Sequence, residues 1–322
     1  MNLKQGLLQL SDNMKRLNMK RITILFIAIC CVGILKAQQL PQITQYMINN
    51  YTINPAIAGM YDYYQVKTSI RNQWAGIQEG PRTTILSIYG KKNEHVGLGG
   101  TVFNDVTGPT SRTGGSVSYA YTFSVRSNIN LSLALSGGFT QFKIVKSNIP
   151  IEDQGDPLMQ GGDVVRSLPD ATFGTNLFGD NWYLGAAIPQ LLSSELNLMD
   201  DDFARIYDTT SINGKLVRHI YVLGAYKYEI NPTLTLEPNF FLKQVSGAKG
   251  QFDFGVKTEY KQMLWIGINY KMNNDLSSMA ALLGFNINDR FNIGYSYDLP
   301  SSSTSVYQSG SHEFMLGIKL PN

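Results

Sequence analysis

The last stretch of the chain, residues 290–320, alternates between apolar and polar side chains in two runs joined by a polar loop. The apolar positions of the two runs are Phe291, Ile293, Tyr295, Tyr297, Phe314, Leu316, Ile318 and Leu320. The positions between them are polar or glycine, with Met315 as the one exception. Because successive side chains of a strand point to opposite faces, each run predicts a strand with one apolar face. Such a face needs either a second sheet, as in a soluble sandwich, or the lipid around a transmembrane barrel.

Runs of this kind recur from Asp62 onward, and we count about fourteen of them. They lie at residues 62–74, 82–91, 95–104, 112–125, 129–142, 170–178, 181–188, 216–228, 233–244, 250–260, 263–271, 277–287, 290–298 and 311–320. The connections after even-numbered runs are short, whereas those after odd-numbered runs are mostly longer, as at 143–169 and 189–215. Outer-membrane barrels alternate short periplasmic turns with long external loops, and a soluble sandwich has no reason to do so. We therefore predict an all-β fold, a transmembrane antiparallel β-barrel of about fourteen strands.

An apolar run at residues 22–35 precedes the strands and has the features of an export signal. Lys20 and Arg21 lie before it, and Ala37 provides a small residue before a cleavage site. The run is short for a transmembrane helix, which is the alternative interpretation. We therefore predict a Sec-exported protein of the outer membrane of a Gram-negative bacterium. Its residues 1–37 would be an N-terminal extension and a cleaved signal peptide.

The chain divides by pattern into an export segment, an irregular segment and a barrel. Met19 is the expected start of translation, since residues 1–18 show no clear pattern. Residues 38–61 are rich in Gln, Asn and Ile without clean alternation, which predicts an irregular N-terminal segment below or inside the barrel. Residues 62–322 would form the barrel itself.

Charge and cysteine content exclude several classes of function. Residues 1–37 hold six of the Lys and Arg side chains and one acid, which leaves 21 basic and 23 acidic side chains in the exported part. Its net charge of about −2 offers no general attraction to nucleic acid. Both cysteines, Cys30 and Cys31, lie in the apolar run. The exported chain would therefore have neither disulfides, thiol catalysis nor cysteine metal sites.

Acidic residues cluster in the long loop 189–215, where Asp200, Asp201 and Asp202 are consecutive. Calcium binds carboxylates, but the ordered ligand spacing of a calcium loop is absent, so a solvated loop is favoured. Part of this loop, residues 191–205, is compatible with a short helix. We predict that the three aspartates bind a partner, and we predict neither a metal nor a cofactor.

A second candidate group lies where the last two strands meet. Asp298 ends one strand and His312 begins the next, so we expect these two residues and Glu313 to form one carboxylate–histidine cluster at the outer rim. The cluster is a second candidate for partner binding. Ser311, His312 and Glu313 invite comparison with a catalytic triad, but adjacent strand residues point to opposite faces and cannot align as one. No enzymatic activity is predicted.

Several short motifs together resemble the PorP/SprF family of type IX secretion system outer-membrane proteins. The first is Asn-Pro-Ala-x-x-Gly at Asn54, Pro55, Ala56 and Gly59. Later motif positions are Arg71, Trp74, Gly76, Pro81, Pro238, Trp265, Tyr295 and Tyr297. Their order and spacing over about residues 38–320 carry the resemblance. We expect structural roles at these positions: Pro238 at a bulge or kink, because it lacks an N–H group, and Trp74 in an interfacial aromatic girdle.

The resemblance implies a Bacteroidota outer membrane and a role beside the type IX translocon. The implied partners are a secreted protein with a C-terminal sorting domain, such as a gliding adhesin, and components of the secretion ring, motor or translocon. Outer-membrane lipid would surround the barrel. The family is not known for enzymes.

Two other functions remain open at this point. One is a channel for small or hydrophobic solutes, because the face predicted to line the lumen carries Asp253, Lys257, Glu259 and Lys319. The other is an outer-membrane hydrolase, which the missing triad geometry disfavours. A docking barrel plugged by its N-terminal segment would not conduct ions, so conductance separates docking from the channel function.

Overall fold

The computed structural model describes residues 40–149, 162–197, 213–245, 250–273, 277–300 and 305–320. These residues contain seventeen strands, numbered in chain order. They are β1 (Tyr64–Asn72), β2 (Arg82–Lys91), β3 (Val96–Thr107), β4 (Thr110–Arg126), β5 (Ile129–Ile144), β6 (Val164–Phe178), β7 (Trp182–Ile188), β8 (Glu195–Asn197), β9 (Asn213–Lys215), β10 (His219–Tyr226), β11 (Tyr228–Asn231), β12 (Leu234–Val245), β13 (Gln251–Tyr260), β14 (Leu264–Asn273), β15 (Ser278–Asn286), β16 (Phe291–Asp298) and β17 (Ser311–Leu320).

The strands close into an antiparallel barrel. Each barrel strand pairs with its neighbours in sequence, and β1 closes the ring by pairing with β17, from Tyr64 opposite Leu320 to Asn72 opposite His312. β10 and β11 form one barrel strand interrupted at Lys227, while β8 and β9 pair only with each other. The closed barrel therefore has fourteen strands, which confirms the predicted fold class.

The two faces of the barrel wall differ as the alternation requires. Val117 and Ile268 point outward and are 73% and 59% exposed, whereas their neighbours Ser118 and Asn269 point inward and are buried. A continuous exposed apolar surface of this kind is unfavourable in water and matches the lipid-facing band of a membrane barrel. In the described part of the chain no helix is long and apolar enough to cross a membrane.

Strands β4, β5 and β6 are 17, 16 and 15 residues long, more than the roughly ten residues that a tilted strand needs to cross a membrane. With β3, they extend into the connections that the sequence predicted as loops, over most of 105–111 and over both ends of 143–169. Polar pairs hold the extensions together: Asp105 accepts hydrogen bonds from Thr83 (2.7 Å) and from Arg112 (2.6 Å). The expected helix at 191–205 is also wrong where the structure describes it, since β8 lies there.

Pro238 lies in β12, opposite the break between β10 and β11. β10 pairs with β12 as far as Ala225 opposite Asn239, and β11 resumes the pairing at Tyr228 opposite Leu236. Because proline has no N–H group to donate, the neighbouring strand leaves the ladder at this position. The expectation was a bulge or kink at Pro238; in the structure β12 continues through Pro238, and the interruption lies in its partner strand.

Residues 40–61 lie inside the barrel and are called the plug below. They contain two short 3-10 helices, Asn50–Thr52 and Pro55–Gly59. Thr44 contacts Asp298, beside the long connections, whereas the carbonyl of Tyr61 accepts a hydrogen bond from the Lys91 N–H beside the short turns. The plug therefore runs through the barrel from its long-loop end to its short-turn end. Of the two expected positions, below or inside the barrel, the structure shows the second.

Candidate functional site

One side of the plug is apolar and packs against the inner wall. Tyr46 and Met47 form a buried cluster there with Tyr221, Phe241 and Trp265. The Tyr46 hydroxyl donates a hydrogen bond to the amide oxygen of Asn239 at 3.0 Å. Burial of these apolar side chains helps to fix the plug against the wall.

Asn54 joins the middle of the plug to the wall. Its side-chain oxygen accepts a hydrogen bond from the Ala56 N–H at 3.0 Å, which caps the helix that begins at Pro55. Its amide nitrogen donates to the Thr175 carbonyl in β6 at 2.9 Å. One side chain thus sets both the local turn and its position on the wall, which gives a physical reason for the Asn-Pro-Ala sequence.

We expect Asn54→Ala to destabilise the folded protein by about 1–3 kcal/mol, because it removes a helix cap and the hydrogen bond from the plug to the Thr175 carbonyl. Urea unfolding of the purified barrel, followed by tryptophan fluorescence, measures the change. Thr52→Ala is the matched control, since the Thr52 hydroxyl bonds only the nearby Asn49 carbonyl. Equal unfolding midpoints for the two variants would contradict the assignment.

Two other motif regions depend on close packing inside the barrel. A Cβ atom added to Gly59 would lie 2.5 Å from the Thr122 hydroxyl oxygen, so only glycine lets the plug approach β4 this closely. Trp265 points inward and lies over Gly284 and Gly294, where added Cβ atoms would come within 1.9 and 3.0 Å of its ring. Trp265 can therefore point inward only because Gly284 on β15 and Gly294 on β16 have no side chains.

Thr44 fixes the long-loop end of the plug to charged side chains of the wall. Its N–H donates to Glu313 at 2.8 Å, and its hydroxyl donates to Asp298 at 2.8 Å. The hydroxyl oxygen accepts hydrogen bonds from Arg71 at 2.8 Å and from Lys271 at 2.6 Å. These five residues are called the anchor network below.

The charges of the anchor network balance. Arg71 forms ion pairs with Asp298 at 2.5 Å and with Glu313 at 3.4 Å, and Lys271 forms one with Asp298 at 2.9 Å. All four charged side chains are less than 10% exposed. Buried ion pairs are tolerated only where further hydrogen bonds compensate for lost hydration, and here Thr44 of the plug supplies them. Without the plug, the four buried charged side chains of the wall would lose their hydrogen bonds to Thr44.

A cavity of about 490 Å³ lies next to the anchor network at the long-loop end and is called the mouth cavity below. Its lining includes two aromatic and four amide side chains: Trp74, Tyr307, Gln42, Gln73, Gln251 and Gln308. Its wall is built by two connections that bond to each other. The Ala75 N–H donates to the Gly310 carbonyl, and the Ser309 N–H donates to the Ala75 carbonyl, both at 2.7 Å.

The backbone conformation at Trp74 places this residue differently from the interfacial aromatic girdle that was expected for it. Trp74 has φ +57° and Gly76 has φ +96°, so the chain turns sharply after β1, and the Gln73 N–H bonds the Pro81 carbonyl at 2.8 Å to close this turn. Trp74 therefore lies beyond the strand and lines the mouth cavity, instead of joining an aromatic girdle.

The expected cluster of Asp298, His312 and Glu313 is wrong as a single group. Asp298 and Glu313 point inward and belong to the anchor network, whereas His312 points outward. The His312 ring contacts Tyr295 and Tyr297, and its Nδ1 lies 2.8 Å from the Tyr295 hydroxyl oxygen. The alternation that excludes a triad separates these three residues as well.

Sequence reasoning missed Thr44 and Lys271, which complete the anchor network. Thr44 lies in an irregular segment, and Lys271 ends an alternating strand, so neither stands out locally. The predicted partner-binding residues Asp200, Asp201 and Asp202 lie outside the described residues. Among the residues that the structure describes, no cluster of three or more His, Cys, Asp or Glu side chains could hold a metal ion.

Solved structures with a similar fold are outer-membrane barrels. The Ralstonia pickettii toluene transporter TbuX superposes with a TM-score of 0.51 at 10% sequence identity, over 84% of this chain and 92% of that one. A Pseudomonas aeruginosa FadL homologue gives a TM-score of 0.47 at 12% identity, over 89% and 96% of the two chains. At 10% identity, the similarity to TbuX shows a shared fold and nothing more.

A search of curated protein sequences finds no match for this chain. The family model for the type IX secretion system membrane protein PorP/SprF matches residues 35–318, which include the plug and nearly all of the barrel. The chain therefore belongs to the PorP/SprF family of type IX secretion system membrane proteins.

Proposed function

We propose that this protein is a plugged outer-membrane barrel that docks a secreted protein at its mouth. The partner would be a type IX cargo, for example a gliding adhesin, that carries a C-terminal sorting domain. The mechanism is binding at the cell surface after export of the barrel by the Sec pathway, with no bond made or broken. Family membership supports the secretion role, and the mouth cavity supports the docking site.

Orientation follows from the lengths of the connections. Short turns join β2 to β3, β4 to β5 and β13 to β14 at one end of the barrel, whereas the connections at 73–81 and 299–310 lie at the other. Outer-membrane barrels place short turns in the periplasm and long loops outside. We therefore place the mouth cavity at the cell surface and propose that the short-turn end faces the ring, motor or translocon.

The mouth cavity is the observation that carries the proposal. Trp74 and Tyr307 lie in the connections at its edge, beyond the barrel strands, and are 42% and 76% exposed, so both are accessible to a partner. Exposed aromatic anchors beside hydrogen-bonding amides are typical of protein-binding sites. Because the neighbouring charges balance within the anchor network, the cavity suits a neutral segment of the partner better than a charged one.

Residues with a predicted partner-binding role divide into three groups. We propose that Asp200, Asp201 and Asp202 extend the docking surface. Asp298 and Glu313 would act by holding the plug through Thr44; Glu313 is 1% exposed and cannot reach a partner while the plug is in place, whereas Asp298 also lines the mouth cavity. His312 points toward lipid, so we assign it to the aromatic surface of the barrel and not to docking.

We expect the double variant Trp74→Ala and Tyr307→Ala to reduce cargo display at the cell surface about tenfold or more, the usual effect of removing interface hot spots. Surface cargo is measured by labelling intact cells, with total barrel quantified in the outer membrane. Tyr228→Ala is the matched control, because Tyr228 is 56% exposed near the short-turn end. Normal cargo display by the double variant, with normal barrel levels, would refute docking at the mouth cavity.

A further inference from the structure

A second cavity, separate from the mouth, lies between the plug and the wall formed by β2 to β6 and β10. Its volume is about 170 Å³. The plug contributes apolar side chains, among them Leu40, Ile43 and Ile53, and the wall contributes Phe103 and Tyr221. The cavity touches none of the charged residues of the anchor network. It is called the side cavity below.

Asp170 gives the side cavity a single charged group. One of its carboxylate oxygens accepts a hydrogen bond from the Ala171 N–H at 2.8 Å. Within the described ranges no Lys or Arg side chain forms an ion pair with Asp170, in contrast to the carboxylates of the anchor network. Its partner residue on β5 is Gly138, which has no side chain to cover the carboxylate. Asp170 is therefore only partly buried and can accept a further hydrogen bond from a bound molecule.

The wall beside the side cavity is thin. On its outer face a groove of about 610 Å³ lies among lipid-facing residues such as Leu86 and Val117. Five residues line both spaces: Thr101, Gly115, Ser116, Gly138 and Phe139. A Cβ atom added to Gly137 would meet nothing within 4 Å, so the groove is open at this point. Between the groove and the cavity, β3, β4 and β5 are paired without interruption, so the cavity is closed toward the lipid and lies on the lumen side of the wall.

We propose that the side cavity binds a small apolar molecule, about the size of one aromatic ring, with one hydroxyl or amine that donates to Asp170. An apolar cavity of about 150 Å³ in another protein binds benzene, so the volume here suits a molecule of that size. A partly buried carboxylate with an unused acceptor position selects a ligand with a donor group. This inference is independent of cargo docking at the mouth.

The test uses the full protein in lipid nanodiscs, with p-cresol as the probe and toluene as the same ring without the hydroxyl. Ligand-observed NMR measures both dissociation constants. Thr172→Phe places a large side chain on the cavity lining and is expected to weaken p-cresol binding about tenfold or more, whereas Thr172→Ser should change it little. Loss of p-cresol binding in Asp170→Leu, with toluene binding unchanged, is the expected signature of the carboxylate.

Two results would overturn the proposal. One is a folded wild-type protein that binds no p-cresol. The other is equal p-cresol signals for wild type, Thr172→Phe and Asp170→Leu, which would mean partition into lipid only. If Thr172→Phe fails to fold, the dissociation constants of p-cresol and toluene for the wild type and for Asp170→Asn still test the proposal. The proposal requires that the wild type bind p-cresol more tightly than toluene.

Discussion

Deletion of residues 40–60 is expected to turn a silent barrel into an ion-conducting pore. In the intact protein the plug contacts the wall at Ser87, Ser118, Thr175 and Asn239, on widely separated strands. A barrel of fourteen strands is wider than the eight-stranded barrels whose lumen side chains alone can fill, so removal of the plug leaves a space that water enters. The exposed inner wall is polar and charged, which favours the passage of hydrated ions.

Single-channel recording in planar bilayers measures this effect, with the intact protein and the deletion variant inserted at equal concentrations. A heat-dependent shift in gel migration and a β-type circular dichroism spectrum show that the shortened barrel has folded. Thr44→Val is the informative control, because it retains the plug but removes the hydroxyl at the centre of the anchor network. We expect brief openings from this variant and continuous conductance from the deletion. Steady conductance by the intact protein would instead favour the channel function over docking.

The barrel could be predicted from sequence because its signal is local. Each strand shows its two faces within about ten residues, and the alternation of short and long connections orders the strands without any long-range information. The predicted strand ends were wrong on β3 to β6, where the strands extend past the membrane. There both faces meet water, so residues such as Thr113 and Asn104, which bond each other at 2.7 Å, give no amphipathic signal.

The anchor network could not be predicted for the opposite reason. Thr44 and Asp298 are 254 residues apart in sequence, and nothing near either residue indicates the other. The plug follows neither strand nor helix periodicity, because its side chains fit a lumen whose shape depends on all fourteen strands. The Asn54 motif was visible as a pattern, but its two hydrogen bonds, one local and one to Thr175, became clear only in the folded barrel.

Arg71→Ala is expected to give the largest loss of stability of any single substitution in the anchor network, about 3–5 kcal/mol. The substitution leaves Asp298 and Glu313 buried with Lys271 as the one remaining cation of the network, and removal of one partner from a buried ion pair typically costs this much. The cost comes from the carboxylates that stay behind, since the ion pairs themselves contribute little net stability once desolvation is counted. The unfolding midpoint in urea measures the change, and the exposed Arg82 provides the control variant Arg82→Ala.

A second substitution tests whether buried negative charge causes the loss of stability in Arg71→Ala. If the cost arises from uncompensated carboxylates, then Asp298→Asn in the Arg71→Ala background should recover part of the lost stability, because it removes one buried negative charge. Lost side-chain packing of Arg71 would not be recovered in this way, and the two substitutions would then simply add. Recovery of about 1 kcal/mol or more in the double variant would therefore assign the effect to charge, and its absence would show that Arg71 stabilises the barrel by packing against the plug.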